Sequence, residues 1–165
     1  MSCEADSMNI ILLVPESGYS FVNQAQALVK GFISLGHTAT VFRVTKDFSF
    51  DKLGKNHPDV IIAVGSWVQY RELVEGPMKA GLGVVPWFVS DDRVDQLLDE
   101  LNKLPVLLTT SRHCQSIFLR DGITTRIEIV PEAVDDEFWK PLSVEEIRPI
   151  GEFLSIQEEG IDLPP

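Results

Sequence analysis

Three continuous apolar runs of strand length constrain this chain more than any other feature: NIILLVP at 9–15, DVIIAV at 59–64 and GVVPWFV at 83–89. A strand with one wet face alternates apolar and polar side chains, whereas one that is apolar throughout must be covered on both faces. Such strands belong to parallel sheets sandwiched between helices, and helical patterns lie between these runs. Phe21, Ala25, Leu28, Phe32 and Leu35 fall at steps of four, three, four and three, one face of an amphipathic helix. Ser20 is the expected N-cap of that helix, and Gly36 its expected stop.

The alternation continues along the chain. TATVFRV at 38–44 is a β-branched strand. A polar connection over 46–58 carries an apolar patch of Phe48, Phe50 and Leu53. Gly65-Ser66 opens a helical stretch that Pro77 breaks or restarts. Pro86 places the run at 83–89 on a sheet edge, at a bulge or at a strand end. A helix is expected over 91–104, with acids in its first turn complementing the helix dipole. A short strand at 106–110 and a helix at 111–120, stopped by Asp121-Gly122, come next, then the half-exposed strand RIEIV at 126–130. Ser143 and Glu146 have capping-box spacing and should open a last helix reaching about Leu154, ahead of a tail. Six strands alternating with five or six helices predict an α/β domain. Its expected form is a doubly wound, mostly parallel, Rossmann-like sheet over residues 8–142, with helices on both faces. Residues 1–7 read as a polar leader and 143–165 as a terminal helix and linker.

Size and charge narrow the function. A chain of 165 residues that is 44% hydrophobic suits one domain with a full core. Its net charge of −11 repels phosphate backbones, so nucleic-acid binding is not expected. Cys3 and Cys114 form neither a disulfide framework nor a metal-ligand spacing, which makes a reducing cytoplasm the expected compartment. The start MSCEADSMNI lacks the basic and apolar regions of a signal peptide. No apolar run reaches the ~20 residues of a membrane-spanning helix, so no transmembrane segment is expected.

In open parallel sheets ligands collect at the carboxyl ends of the strands. The segments expected there supply the candidate site residues. The first loop, PESGYS, has neither GxGxxG nor the P-loop pattern, so an ordinary dehydrogenase or P-loop NTPase is not expected. Gly18, Tyr19 and Ser20 offer backbone and hydroxyl contacts to a substrate; the plainer reading is a strand-to-helix turn with its cap. Ser66 and Trp67 follow a buried strand, where the indole can stack on the apolar face of a ligand or pack a helix. Ser90 and Asp91 can hydrogen-bond a hydroxyl of a ligand, or act as helix cap and first-turn acid. Ser111 and Arg112, beside Thr110, offer a hydroxyl and a cation for a phosphate or carboxylate. His113 and Cys114 lack a third ligand at suitable spacing, so no metal is expected.

The order of these segments, LGHTATVF at 35–42, LLTTSRHCQSIFLRDGI at 107–123 and RIEIVPEAVDDEFWKP at 126–141, resembles the N-terminal domain of GT-B glycosyltransferases. The likeness is to the large retaining family that uses nucleotide-sugar donors, and it runs over about residues 8 to 142. It implies a two-domain enzyme whose N-terminal half receives a sugar or glycolipid acceptor. The nucleotide-sugar donor would bind mainly to a C-terminal domain, so no cofactor is expected in this chain, and a donor domain or partner subunit completes the site. Ser90-Asp91 stand where many members carry a His-Asp pair, and Glu132-Ala133 where Asn-Gly is usual. In the family His37 has a structural role. The alternative is a non-catalytic binding module or partner subunit of the same fold. A flavodoxin-like or receiver-like regulator is a third reading, with only Glu16 standing where a receiver has its acidic cluster.

Overall fold

The computed structural model describes residues 6–91, 93–94 and 96–132, all within one compact unit, Met1–Ala133. The expected helix from Ser143, the tail and residues 1–5 of the leader lie outside the described residues. Six strands form one parallel sheet, β1 (Asn9–Pro15), β2 (Thr38–Val44), β3 (Val60–Ser66), β4 (Val85–Val89), β5 (Leu107–Thr109) and β6 (Ile127–Ile129), in the order β2-β1-β3-β4-β5-β6. The fold is α/β, Rossmann-like and doubly wound.

That order fixes which face each connection covers. The step from β1 to β2 runs one way along the sheet and every later step runs the other. Right-handed crossovers therefore put α1 (Tyr19–Ser34) on one face and the remaining helices on the opposite one. Packing agrees. On one side Ile10, Leu12 and Val14 of β1 meet Ala25, Phe21, Leu28 and Phe32 of α1. On the other, Ile11 and Leu13 join Leu53 from α2 (Asp51–Gly54), Leu73 and Val74 from a π-helical turn, Leu101 from α4 (Leu98–Leu101), and Ile117 and Phe118 from α5 (Arg112–Arg120). Each apolar strand thus feeds two cores through its period-two alternation. The Phe48–Phe50 patch packs edge-to-face beneath Phe42.

Several local expectations need correction. Gly18, at φ 123°, is the N-cap of α1, and Ser20 lies inside the helix. Leu35 is 73% exposed because it is already the C-cap, where the helical period ends. Gly36 does stop the helix: at φ 87° it donates to Ile33 O while His37 N donates to Phe32 O, the paired bonds of a Schellman turn. Gly122 ends α5 the same way, with Ile123 N reaching Phe118 O.

Among the described residues the helix expected over 91–104 is realised at Leu98–Leu101 only. Upstream, the Val94 N–H donates to the carboxylate of Asp121, which draws that segment toward the end of α5 and out of helical register. Of the three placements expected for Pro86, the structure bears out the strand end, not the sheet edge or the bulge. Pro86 is the second residue of central β4, just ahead of Trp87↔Leu108, the pair that joins β4 to β5. After β3 the chain makes a 3₁₀ turn (Trp67–Gln69), the π turn (Arg71–Glu75) and then α3 (Gly76–Lys79). Pro77 explains the widening: it has no N–H for the carbonyl four residues back and its ring crowds that carbonyl.

Candidate functional site

Gly18 sets the geometry at the head of the sheet. Its φ of 123° suits glycine, and a Cβ there would sit 2.9 Å from the Phe21 ring. The turn carries the chain from Pro15 directly into α1, with Phe21 N and Val22 N both donating to Gly18 O. Because the chain departs in opposite directions from β1 and β3, the crevice of an open sheet opens beside this turn. A small cavity of about 270 Å³ lies here, lined by Glu16, Ser17, Gly18, Tyr19, Val22 and Arg43. Tyr19 stands 82% exposed at its rim.

A larger cleft of about 520 Å³ draws on further strand ends. Ser20, Phe21 and Gln24 reach it from α1, Val89 and Asp91 from the end of β4, and Thr110, Ser111, His113 and Cys114 from the β5–α5 junction; Glu132, beyond β6, completes the lining. The sequence places residues from α1, β4 and β5 together because the short loops at those strand ends all open on one edge of the sheet. Among the described residues no lysine or arginine lines this cleft.

Hydrogen bonds fix its floor. Ser111 is the N-cap of α5, its hydroxyl accepting the Cys114 N–H at 3.2 Å. Thr109 is wholly buried and donates to Phe88 O at 2.8 Å, tying β5 to β4. Thr110 Oγ1 lies 3.5 Å from Cys114 Sγ. Burial opposes ionisation of that thiol, but hydrogen bonding from Ser111, the Ser90 backbone, Thr110 and Thr109 outweighs it, leaving the thiol below its ordinary range.

The structure distributes the candidate residues unevenly. Ser20, Asp91 and Ser111 converge on the larger cleft, and Gly18 and Tyr19 on the smaller cavity. Ser90 is 2% exposed, so within the Ser90-Asp91 pair the exposed side chain is that of Asp91. Ser66, Trp67 and Arg112 line neither cavity. The Ser66 N–H donates to Gln69 Oε1 at 2.8 Å, Trp67 is half-buried against the core, and Arg112 is exposed at the first position of α5. Sequence reasoning passed over Gln24, although it lies one helical turn after Ser20 and so on the same face. His113 and Cys114, whose spacing supports neither a metal pair nor a nucleophile pair, form walls of this cleft. His37 accepts the Met8 N–H at its Nδ1, a structural bond at the opposite end of the sheet.

Comparison of the sequence with models of known protein families finds no match, and comparison with curated proteins finds none either. Among the described residues no helix is long and apolar enough to cross a membrane, and no group of three or more His, Cys, Asp or Glu side chains is placed to hold a metal.

Proposed function

We propose that this chain is the acceptor-side domain of a nucleotide-sugar-dependent glycosyltransferase of the GT-B type, acting in the cytoplasm with a donor-binding domain or partner subunit. The observation that carries the reading is the larger cleft, where Ser20, Asp91 and Ser111 converge from three different elements at the carboxyl edge of a Rossmann-like sheet. A sugar or glycolipid acceptor presents hydroxyls that donate and accept. Asp91 and Glu132 supply acceptors, and Ser20, Thr110 and Gln24 groups that do both. Phe21 and Val89 give apolar wall for the C–H faces of a sugar ring, and Tyr19 an exposed aromatic nearby. With no lysine or arginine among the described lining residues, the cleft suits hydroxyls better than phosphates. In this reading Asp91 orients the attacking hydroxyl by accepting its hydrogen bond; as that oxygen bonds the anomeric carbon, the bond to the diphosphate breaks on the same face and the leaving phosphate oxygen takes the proton. The leaving diphosphate is held by the donor side.

A second reading, a non-catalytic binding module, draws on the buried Ser90 and on the Ser111 hydroxyl already engaged by the Cys114 N–H. Transfer assays separate the two. Full-length gene product incubated with a panel of nucleotide-sugars and glycan acceptors should add one sugar to an acceptor, and Asp91→Asn should lower the rate about a hundredfold or more. Saturable sugar binding without transfer by any donor would favour the binding module.

A further inference from the structure

A second groove lies on the opposite face of the sheet from α1, between the π turn and α4, with a volume of about 420 Å³, within the usual range for small-molecule sites. Tyr70, Arg71, Glu75, Lys79, Leu97 and Glu100 line it. Tyr70 is 5% exposed, yet its hydroxyl has no hydrogen-bond partner among the described residues. Because no buried side-chain polar atom there lacks a partner, the hydroxyl must be the wetted tip of an otherwise buried ring, opening on the groove. Glu75 is engaged by Lys79 at 2.7 Å, with Arg71 adding to the field that keeps its carboxyl below the usual range. Glu100 has no ion pair among the described residues, and Arg71 has none within salt-bridge distance. Among the described residues the groove therefore offers a carboxylate and an exposed guanidinium without an ion pair, and a phenol without a hydrogen bond, around one apolar side chain, Leu97. Burial, then the charges of Glu100 and Glu75, push the Tyr70 phenol up, so it stays protonated and free to donate or accept.

The geometry points to a binding site for a small zwitterion of the amino-acid class. Its ammonium would meet Glu100 and the Tyr70 oxygen, and its carboxylate the fork of Arg71. A simple amine leaves Arg71 unmet, and a simple acid leaves Glu100 unmet. The π turn that bears Arg71 and Glu75 is the kind of widened helical turn often found at ligand sites. This site is independent of the cleft at the strand ends and of any transfer chemistry there.

Amide NMR titration of the full chain tests it, using the twenty standard amino acids and, for each binder, the matching amine without the carboxylate and acid without the ammonium. At least one amino acid should shift the amides of Tyr70, Arg71 and Glu100 saturably, with the amine and the acid each about tenfold weaker. Glu100→Gln and Tyr70→Phe should each weaken binding about tenfold with the melting temperature unchanged. The proposal is overturned if no amino acid shifts these amides, if the amine or acid alone binds as well, or if Glu100→Gln binds like the parent.

Discussion

Asp121, at the end of α5, accepts the backbone N–H of Val94 at 2.8 Å, joining the loop after β4 to the helix after β5. The same carboxylate accepts from Arg120 Nε at 2.7 Å, and its side chain is largely covered. One residue thus closes α5 and anchors the segment that delivers Asp91 to the cleft.

This bond carries an acid dependence. Arg120 first, then the Val94 N–H, hold the Asp121 carboxyl at about 2 against an ordinary 3.8. A carboxyl depressed in the folded state contributes stability above its unfolded value and loses it as pH falls through the folded one. Stability should therefore drop between about pH 4 and pH 2. In Asp121→Asn, acid melting curves should lack this component, and the Val94 amide should exchange faster at neutral pH.

Gly18→Ala should destabilise the fold by about 1–3 kcal/mol, because the new side chain enters the left-handed φ region and meets the Phe21 ring. Urea unfolding gives the number. Gly31→Ala, inside α1 and meeting nothing within 4 Å, should instead be neutral or stabilising.

Gly65→Ala should cost a comparable 1–3 kcal/mol, roughly, by overpacking. A Cβ there would lie 2.7 Å from Gln69 Oε1 and 2.8 Å from Leu73, so these side chains must shift to make room. The melting temperature should fall, and the Ser66–Gln69 bond should be lost as faster exchange at the Ser66 amide.

Thr109→Val keeps the shape but leaves the Phe88 carbonyl without its hydroxyl donor in a buried site. The expected loss is about 1–3 kcal/mol, read by denaturant unfolding. A change below about 0.5 kcal/mol would mean the β4–β5 seam does not depend on this bond.

The sheet was legible in the sequence because apolar runs such as NIILLVP have no other way to bury both faces. The glycine stops at Gly36 and Gly122 were equally plain, since each follows the last residue of a helical period. What escaped was set by contacts distant along the chain. The shortened helix at Leu98–Leu101 depends on Asp121, more than twenty residues on. The N-cap at Gly18 depends on a dihedral angle, not on a hydroxyl. Within the cleft, Ser20, Asp91 and Ser111 were accessible from their positions at strand ends. His113 and Glu132 were harder to place, because only the packing of α5 and the exit of β6 turn them toward α1.

The most direct test of the account is an amide NMR titration of this chain with neutral oligosaccharides, and in parallel with their phosphorylated forms and free nucleotides. The account predicts saturable shifts at Ser20, Asp91, Thr110 and Ser111 with a neutral sugar, weaker with its phosphate, and abolished in an Asp91→Ala, Ser20→Ala double variant that stays folded. Shifts at those amides with nucleotides and none with any sugar would contradict it.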